Sequence, residues 1–266
     1  MKKVFLCLFM VICAGPLCAQ RYILKDGKAL NQADVAVKDG KLVRTVGGGG
    51  AEVTYPSSQV VRLEWPEPVE LAAATELLTA GKASEAEEKV TPVYNQFAPF
   101  AKLPGSWWSN AAIIRARALL AQKKISEAES AAREINSTSS DREDVSAAQL
   151  LLAEGQLRLA KPDIADAMLD EIMRNAVSSE ISARAVMLRG DIAYQRKQFE
   201  KALGFYLQVP AFYGMCDSVM PAALLGSARA YRGYGDTTRS DRAYLDLIVM
   251  YPSSAEAEIA KNESHP

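Results

Sequence analysis

The alternation of apolar and polar residues changes its period once along the chain, near residue 66. From residue 20 to about residue 66, short apolar runs are interrupted by turn residues, which is typical of strands. From Val69 onward, apolar residues recur with the period of an amphipathic helix, and the prolines fall mainly between the helical stretches. The pattern predicts a small β domain at 20–66 and a helical domain at 69–262.

The predicted strands lie in the segments "RYILKDGKAL", "DVAVKDGKLVRTV", "AEVTYP" and "SQVVRLEW". Asp26-Gly27 and Asp39-Gly40 stand in a repeated "KDGK", and Asp-Gly favours a tight hairpin because both residues can take positive φ. We therefore predict a small antiparallel sheet of four or five strands, SH3-like or open. The four glycines at 47–50 are predicted to form a hairpin tip. A phosphate-binding loop would need a following helix and a Lys-Ser/Thr pair, which this sequence does not provide.

The helical part repeats. Five segments each end one helix, turn, and begin a second helix with a small residue in its middle. Spacings of 42, 39, 35 and 38 residues separate these small residues, and periods of this size indicate a helical solenoid. The small residues are Ala86, Ala128, Ala167, Ala202 and Ser240.

Small residues matter because two antiparallel helices approach closely only where their side chains are small. Gly155 and Gly190 each stand twelve residues before a small residue of the second helix, at Ala167 and Ala202. We expect each glycine to lie where its helix crosses the next. Residues three before the small position are predicted to fill the turn, namely Ala83, Ile125, Ile164 and Phe199. Aromatic residues four after it are predicted to fill the interface with the next hairpin, namely Tyr206 and Tyr244.

The fourth and fifth segments resemble the tetratricopeptide repeat (TPR) family. The fourth matches the family's pattern at Gly190, Phe199, Ala202 and Tyr206. The fifth matches at Tyr231, Gly235-Asp236, Tyr244 and Pro252, although Ser240 replaces the usual alanine. The resemblance implies a mainly α fold: a right-handed TPR-like α-solenoid of about five helical hairpins. It also implies that Arg189-Gly190-Asp191, which spells an adhesion tripeptide, lies inside a helix and not on a protruding loop.

The resemblance further implies a groove, lined by the first helices, that binds an extended peptide or a partner helix. The family's groove positions fall on Asn110, Arg117, Gln149, Gln156, Arg184, Asp191, Tyr194, Arg229 and Arg232. Four of these residues are arginines, which favours an acidic or carboxylate-bearing partner. The alternative is that they are solvated helix positions without a binding role.

Residues 1–19 have the features of a secretory signal peptide. Two lysines precede an apolar run, Val4 to Cys13, and the segment closes on Leu17-Cys18-Ala19. We predict cleavage after Ala19 and an exported, periplasmic or envelope-associated protein. A membrane anchor would need a longer apolar run, and lipidation is disfavoured because Leu17 precedes Cys18. Removing 1–19 takes the net charge from −1 to −3 and leaves Cys216 as the only cysteine, so no intramolecular disulfide is expected.

Residues that carry chemistry are scarce. The only histidine is His265, so a histidine-based triad and a two-histidine zinc motif are excluded by count. A carboxylate pair such as Glu85 and Glu87 could act as acid and base, but solvated helix faces explain these residues more simply. The near-neutral net charge gives no footprint for nucleic acid or an anionic membrane. We predict no enzyme activity, no metal and no cofactor, with membrane association only through partners.

Two further features bear on function. Trp107 and Trp108 follow a Pro-Gly loop, and they either pack in the interior or form an aromatic binding patch. The stretch from Gly235 to Lys261 is similar to repeats of bacterial envelope proteins such as the Tol-Pal coordinator and the outer-membrane assembly lipoproteins. The sequence therefore predicts a scaffold in cell-envelope organisation that binds a protein or peptide. The alternative is a cell-wall or glycan-binding protein that uses the β domain and the tryptophans. Homo-oligomerisation is left open.

Overall fold

The computed structural model of the chain describes residues 20–46 and 50–264. The predicted signal peptide, residues 47–49 of the glycine run and His265 lie outside the described residues. The chain divides into two compact units: residues up to 66 together with 103–105, and residues 67–102 together with 106 to the end. No helix within the described residues has the length and apolar character needed to cross a membrane.

The first unit contains two three-stranded antiparallel sheets. One sheet has the order β2-β1-β6, formed by β1 (Arg21–Leu24), β2 (Ala29–Asn31) and β6 (Val60–Glu64). The other has the order β3-β4-β5, formed by β3 (Val35–Lys38), β4 (Lys41–Val46) and β5 (Ala51–Pro56). The predicted antiparallel strands are confirmed, but the described residues form six strands in two sheets where one sheet of four or five was predicted. The buried side chains of this unit include Tyr22, Leu24, Leu30, Leu42, Val60 and Leu63.

The two "KDGK" segments form different turns. Asp39 and Gly40 both have positive φ (50° and 69°) and join Lys38 directly to its partner Lys41, as expected for a two-residue hairpin. In the other segment only Gly27 has positive φ (82°), and its N–H donates to the carbonyl of Leu24. That turn is longer, and the Asp26 carboxylate accepts a hydrogen bond from the backbone N–H of Lys28.

The second unit is a stack of helical hairpins, which confirms the mainly α, TPR-like fold. Within the described residues there are five hairpins and a final helix, α12 (Ala255–Ser264). The first helices of the hairpins are α1 (Val69–Thr79), α3 (Trp108–Ala121), α5 (Arg142–Arg158), α7 (Ser179–Gln195) and α10 (Met220–Tyr234). The second helices are α2 (Ala83–Phe97), α4 (Ile125–Thr138), α6 (Pro162–Arg174), α8 (Phe199–Tyr206), which α9 (Gln208–Phe212) follows, and α11 (Thr237–Met250). Arg189, Gly190 and Asp191 lie inside α7, as predicted.

All five hairpins use the same turn. The first helix ends in a residue with left-handed backbone conformation, whose N–H donates to the carbonyl three residues earlier. The next N–H donates to the carbonyl five residues earlier, which completes a Schellman motif. The left-handed residues are Gly81, Lys123, Ala160, Lys197 and Gly235. Each stands five residues before a small, buried residue of the second helix.

The five-residue spacing between the left-handed residue and the small residue corrects the predicted register of the third hairpin. Five residues after Ala160 comes Ala165, which is fully buried, whereas Ala167 is exposed. The prediction of Ala167 as the small position of the third hairpin was therefore wrong. The prediction that Ile164 fills the turn of this hairpin was wrong as well, because Ile164 is 50% exposed. The corrected small positions are Ala86, Ala128, Ala165, Ala202 and Ser240, and their spacings are 42, 37, 37 and 38.

The first helices carry small residues in register with these positions. Twelve residues before each lies a buried small residue: Ala74, Ala116, Ala153, Gly190 and Ala228. The twelve-residue rule is thus correct, but Ala153 and not Gly155 obeys it in the third hairpin. Gly155 faces Ile125 and Glu129 of α4 in the preceding hairpin. The predicted contact between Gly155 and Ala167 was wrong because two alanines stand two residues apart in α6.

Tyr206 joins the fourth and fifth hairpins, as predicted. Its ring lies against Gly190 of α7 on one side and Gly226 of α10 on the other, and a Cβ on either glycine would be 2.5 Å from the ring. Tyr244 is likewise buried, in a cluster with Leu225 and Ala257. Aromatic side chains therefore fill the space between consecutive hairpins where glycine or alanine leaves room.

Candidate functional site on the first helices

The first helices form a continuous surface in the second unit. Each of α1, α3, α5 and α7 contacts the first helix of the next hairpin, and α10 contacts α12. Among the described residues, the backbones of second helices of successive hairpins do not approach one another as closely. Because the first helices are the more closely spaced, they lie on the inner side of the stack. We call their inner surface the first-helix face.

One row of this face is defined by the residue that follows the small position of each first helix. In order along the chain the row contains Thr75, Arg117, Glu154, Asp191 and Arg229. Three of these residues belong to the predicted groove, whereas Thr75 of the first hairpin and Glu154 of the third were not predicted. The register error in the third hairpin explains this, since a shift of two residues moves the predicted Gln149 and Gln156 to Ala147 and Glu154. Gln156 instead donates a 2.6 Å hydrogen bond to Glu129 on α4.

A small pocket opens on the face between α3, α5 and α7. Arg117 and Arg184 line it, together with Glu154 and the apolar side chains Ala147, Leu150, Leu151, Met187 and Leu188. The structure therefore brings together two of the predicted arginines, which stand 67 residues apart in the sequence. We call this the Arg117 pocket. It combines a cationic edge with apolar walls.

Arg117 is a half-buried guanidinium without a hydrogen bond or ion pair to any described residue. Burial and the nearby charge of Arg184 lower its pKa to about 10, although Glu180 and Glu154 favour its charged form. The group stays charged at neutral pH. A half-buried guanidinium without a hydrogen-bond partner can accept an anion as a direct partner.

Arg184 is already paired. Its guanidinium contacts Glu180 on the same helix at 2.7 Å and donates to the Ser218 hydroxyl at 3.2 Å. Ser218 in turn donates to Glu180 at 2.5 Å. Burial opposes ionisation of Glu180, but the hydrogen bond from Ser218 and the contact with Arg184 outweigh it and lower the pKa of the carboxyl. The surplus positive charge of the pocket is therefore on Arg117.

Asp191 and Tyr194 lie one hairpin further along the face. The Tyr206 hydroxyl donates a 2.7 Å hydrogen bond to the Asp191 carboxylate. Burial raises the pKa of Asp191 to about 6, an effect that the Tyr206 hydrogen bond opposes and the charge of Glu154 reinforces. The ring of Tyr194 stacks edge-on against Phe199, with 5.5 Å between the centroids. These two side chains hold the fourth hairpin together.

Arg229 and Arg232 form hydrogen bonds to α12, the last helix among the described residues. Arg229 makes two hydrogen bonds, of 2.9 and 2.6 Å, to the Glu263 carboxylate. Arg232 donates to the Glu263 carbonyl at 2.7 Å and lies over the Tyr244 ring. Tyr244 donates to the same carboxylate at 2.9 Å. Arg229 is thus paired with the Glu263 carboxylate of α12, whereas the carboxylate nearest Arg232 is that of Asp241 on α11, at 3.5 Å.

The remaining predicted residues do not form a second site. Trp108 is 1% exposed and packs on Tyr94, so an aromatic patch presenting both Trp107 and Trp108 is not formed. Asn110 is exposed in the first turn of α3, close to the start of the face. Cys216 is buried, and burial raises the pKa of its thiol. Among the described residues no group of three His, Cys, Asp or Glu side chains is arranged to hold a metal.

The carboxylates considered for acid–base chemistry have structural partners. Glu87 accepts hydrogen bonds from Gln122 at 2.7 Å and Lys124 at 3.2 Å, at the end of α3. Burial raises the pKa of Glu87, but these two hydrogen bonds dominate and lower it. Glu85 is exposed beside Lys82. Glu87 joins the first two hairpins.

Solved structures similar to this chain include those of PilF and YrrB. PilF of Pseudomonas aeruginosa is 18% identical, with 73% of this chain and 80% of that chain covered at a TM-score of 0.39. YrrB, described as a TPR protein with an unusual peptide-binding site, is 14% identical, with 73% of this chain and 90% of that chain covered at a TM-score of 0.39. No protein family and no curated protein sequence matches this chain. The hairpin stack of the second unit is defined by the contacts between its own helices.

Proposed function

We propose that this protein is a non-enzymatic scaffold that binds a protein or peptide through the first-helix face of its TPR-like stack. The observation that carries the proposal is the unpaired guanidinium of Arg117 in a pocket with apolar walls. Its neighbour Arg184 is held in place by Glu180 and Ser218 before a ligand arrives. Fixed groups lose little entropy on binding.

The ligand chemistry that fits the pocket is a carboxylate next to an aliphatic side chain. A carboxylate satisfies Arg117 with charge-assisted hydrogen bonds, and the aliphatic group covers Leu150 and Met187 at the wall. Glu154 lies at the same pocket and is paired with Arg158 at 2.7 Å. This pairing reduces the repulsion that an incoming carboxylate would otherwise meet. An acidic segment of a partner protein supplies the required groups.

The test compares two arginine variants of the full-length protein. Wild type, Arg117→Gln and the matched control Arg133→Gln are used to capture partners from an extract of the source organism, and the captured proteins are identified by mass spectrometry. Arg133 is an exposed arginine on the second helix α4, paired with Glu129. We expect one set of partners to be lost with Arg117→Gln and kept with Arg133→Gln. Partners that bind all three proteins equally would contradict the proposal.

We also propose that the protein acts after export, in the organisation of a bacterial cell envelope. This rests on residues 1–19 and on the resemblance of the last repeat to envelope proteins. Mass spectrometry of the protein isolated from its own cells should find a mature chain that begins at Gln20. A chain that retains Met1–Ala19 in a cytoplasmic fraction would contradict export and would leave the first-helix proposal untouched.

A further inference from the structure

The first hairpin has an open groove between α1 and α2. It has a volume of about 570 Å³, and Leu77 of α1 with Pro92 and Val93 of α2 supply its apolar lining. Leu77 is half-buried and Pro92 is exposed, so apolar surface is accessible within the groove. We call this the α1–α2 groove. It is separate from the first-helix face and from the Arg117 pocket.

The groove lies at the beginning of the hairpin stack. Glu87 and Tyr94 mark the side of α2 that contacts the second hairpin, because Glu87 bonds Gln122 and the Tyr94 hydroxyl bonds Glu134. At 100° per residue, positions 85, 88 and 92 lie on the other side of α2. In each later hairpin the first helix packs on the second helix of the hairpin before it. Hairpin stacks need terminal elements that cover such ends.

The other end of the stack shows how this chain covers a terminal hairpin. Helix α12 packs Ala257 and Ala260 against Leu225 and Leu247 of the last hairpin. At the edge of this contact Glu263 meets Arg229 in two hydrogen bonds. A helix with small residues on one side and a complementary charge at its edge therefore closes the last hairpin.

The charge of the α1–α2 groove is opposite to that of the last hairpin. Three carboxylates line it, from Glu70, Glu85 and Glu88, against one ammonium group from Lys89. Glu85 also lies 3.6 Å from Lys82, at an exposed position. Neither Glu70 nor Glu88 has an ion pair with a described residue. The lining is acidic where the last hairpin presents arginines.

We propose that the α1–α2 groove binds a helix of a partner protein that carries alanine, leucine or other aliphatic residues on one side and lysine or arginine at its edges. The apolar stripe covers Leu77 and Pro92, and the basic residues pair with Glu70, Glu85 and Glu88. Such a helix packs on the first hairpin as α12 packs on the last hairpin. This second surface would let the scaffold hold two partners at once.

The experiment selects helical peptides from a phage-displayed library against the full-length protein. Selected peptides are then titrated against wild type, the double variant Glu85→Arg with Glu88→Arg, and the control Glu127→Arg. Glu127 is exposed on α4 and stands one residue before the small position of its helix, as Glu85 does on α2. Thermal unfolding of each variant checks that all three proteins are folded.

We expect the selected peptides to be basic, with apolar residues at helical spacing. Their affinity should fall at least tenfold in the double variant and stay unchanged in Glu127→Arg. Selection of no peptide, or of peptides that lack positive charge or bind the double variant as well as wild type, would overturn the proposal. Sedimentation of the protein alone tests the other occupant: a dimer that dissociates in the double variant would show that a second copy fills the groove, and would also overturn it.

Discussion

The ring of Tyr206 occupies the space that a side chain at position 190 would need. A Cβ on Gly190 would lie 2.5 Å from Cε1 of Tyr206, inside the van der Waals limit. The hydroxyl of the same tyrosine bonds Asp191, the next residue of α7. The glycine and the tyrosine therefore set how closely α7 and α8 approach.

We expect Gly190→Ala to destabilise the protein by about 1–3 kcal/mol, the usual cost of overpacking a well-filled interface. Chemical denaturation measures it. The matched control is Gly204→Ala on α8, where nothing lies within 4 Å of the added methyl group. Since alanine is the better helix former, the control should stabilise the protein by about 0.5–1 kcal/mol. Equal effects of the two substitutions would contradict the close contact.

Ser240 is the exception among the small positions of the second helices. It is fully buried and its hydroxyl has no hydrogen-bond partner. We expect Ser240→Ala to stabilise the protein by about 1 kcal/mol, because an unsatisfied buried hydroxyl is removed. The reciprocal change, Ala202→Ser in the preceding hairpin, should destabilise by about 1–3 kcal/mol. Destabilisation by Ser240→Ala in thermal unfolding would show that the hydroxyl has a role that the contacts do not reveal.

Ala160 adopts a left-handed backbone conformation, with φ of 57°. This region costs a residue with a Cβ about 1–2 kcal/mol, and Gly81 and Gly235 hold the same place in other hairpins. Ala160→Gly should therefore stabilise the protein by about 1 kcal/mol, while Gly235→Ala should destabilise it by a similar amount. Relative to wild type, the midpoint of urea unfolding should rise for Ala160→Gly and fall for Gly235→Ala. A loss of stability in Ala160→Gly would argue against the turn, and with it against the register of the third hairpin.

Ala160 also shows why the sequence predicted the register of one hairpin and not of another. Gly190, Phe199, Ala202 and Tyr206 agree on one register, so the fourth hairpin was placed correctly. In the third hairpin Ala165 and Ala167 both satisfy a twelve-residue rule, with Ala153 and Gly155. The left-handed residue decides between them, but it is alanine here, which gives no sequence signal for such a turn.

The candidate site was predictable to a similar extent. Arg117 and Arg184 follow from repeat positions, but the pairing of Arg229 with Glu263 does not. This pairing depends on where α12 packs on the last hairpin. The sequence around Glu263 does not indicate that position. Trp108 shows the same limit, because its burial beside Tyr94 depends on the packing of α2 against α3.

Asp191 should make stability depend on pH. Its pKa is about 6 in the folded protein against a usual 3.8, so the folded state binds the proton more tightly and stability falls as pH rises between these values. Asp191→Asn removes the cost of the buried charge. At pH 7.5 it should be more stable than wild type by about 1–3 kcal/mol, and at pH 3.5 the two should converge. A difference that is the same at both pH values would contradict the assignment.

We expect the Arg117 guanidinium to lower the free energy of unfolding of the protein without its partner. Arg117→Met keeps the apolar stem and removes the unpaired guanidinium, so we expect a gain of about 1 kcal/mol in the free energy of unfolding. The same variant should bind the captured partner at least about tenfold more weakly, a change of about 1.4 kcal/mol. Calorimetric unfolding and titration measure the two effects. A loss of stability would show that Arg117 is a structural residue.

The most direct test of the first-helix account maps where the partner lies. A photo-crosslinking amino acid is placed at Asn110, which is exposed near the start of the face, or at Glu127, which is exposed on the second helix α4. If the partner binds the first-helix face, a covalent adduct with it forms from position 110 and none forms from position 127. An adduct from position 127 with none from position 110 would place the partner on the second helices and would contradict binding through the first-helix face.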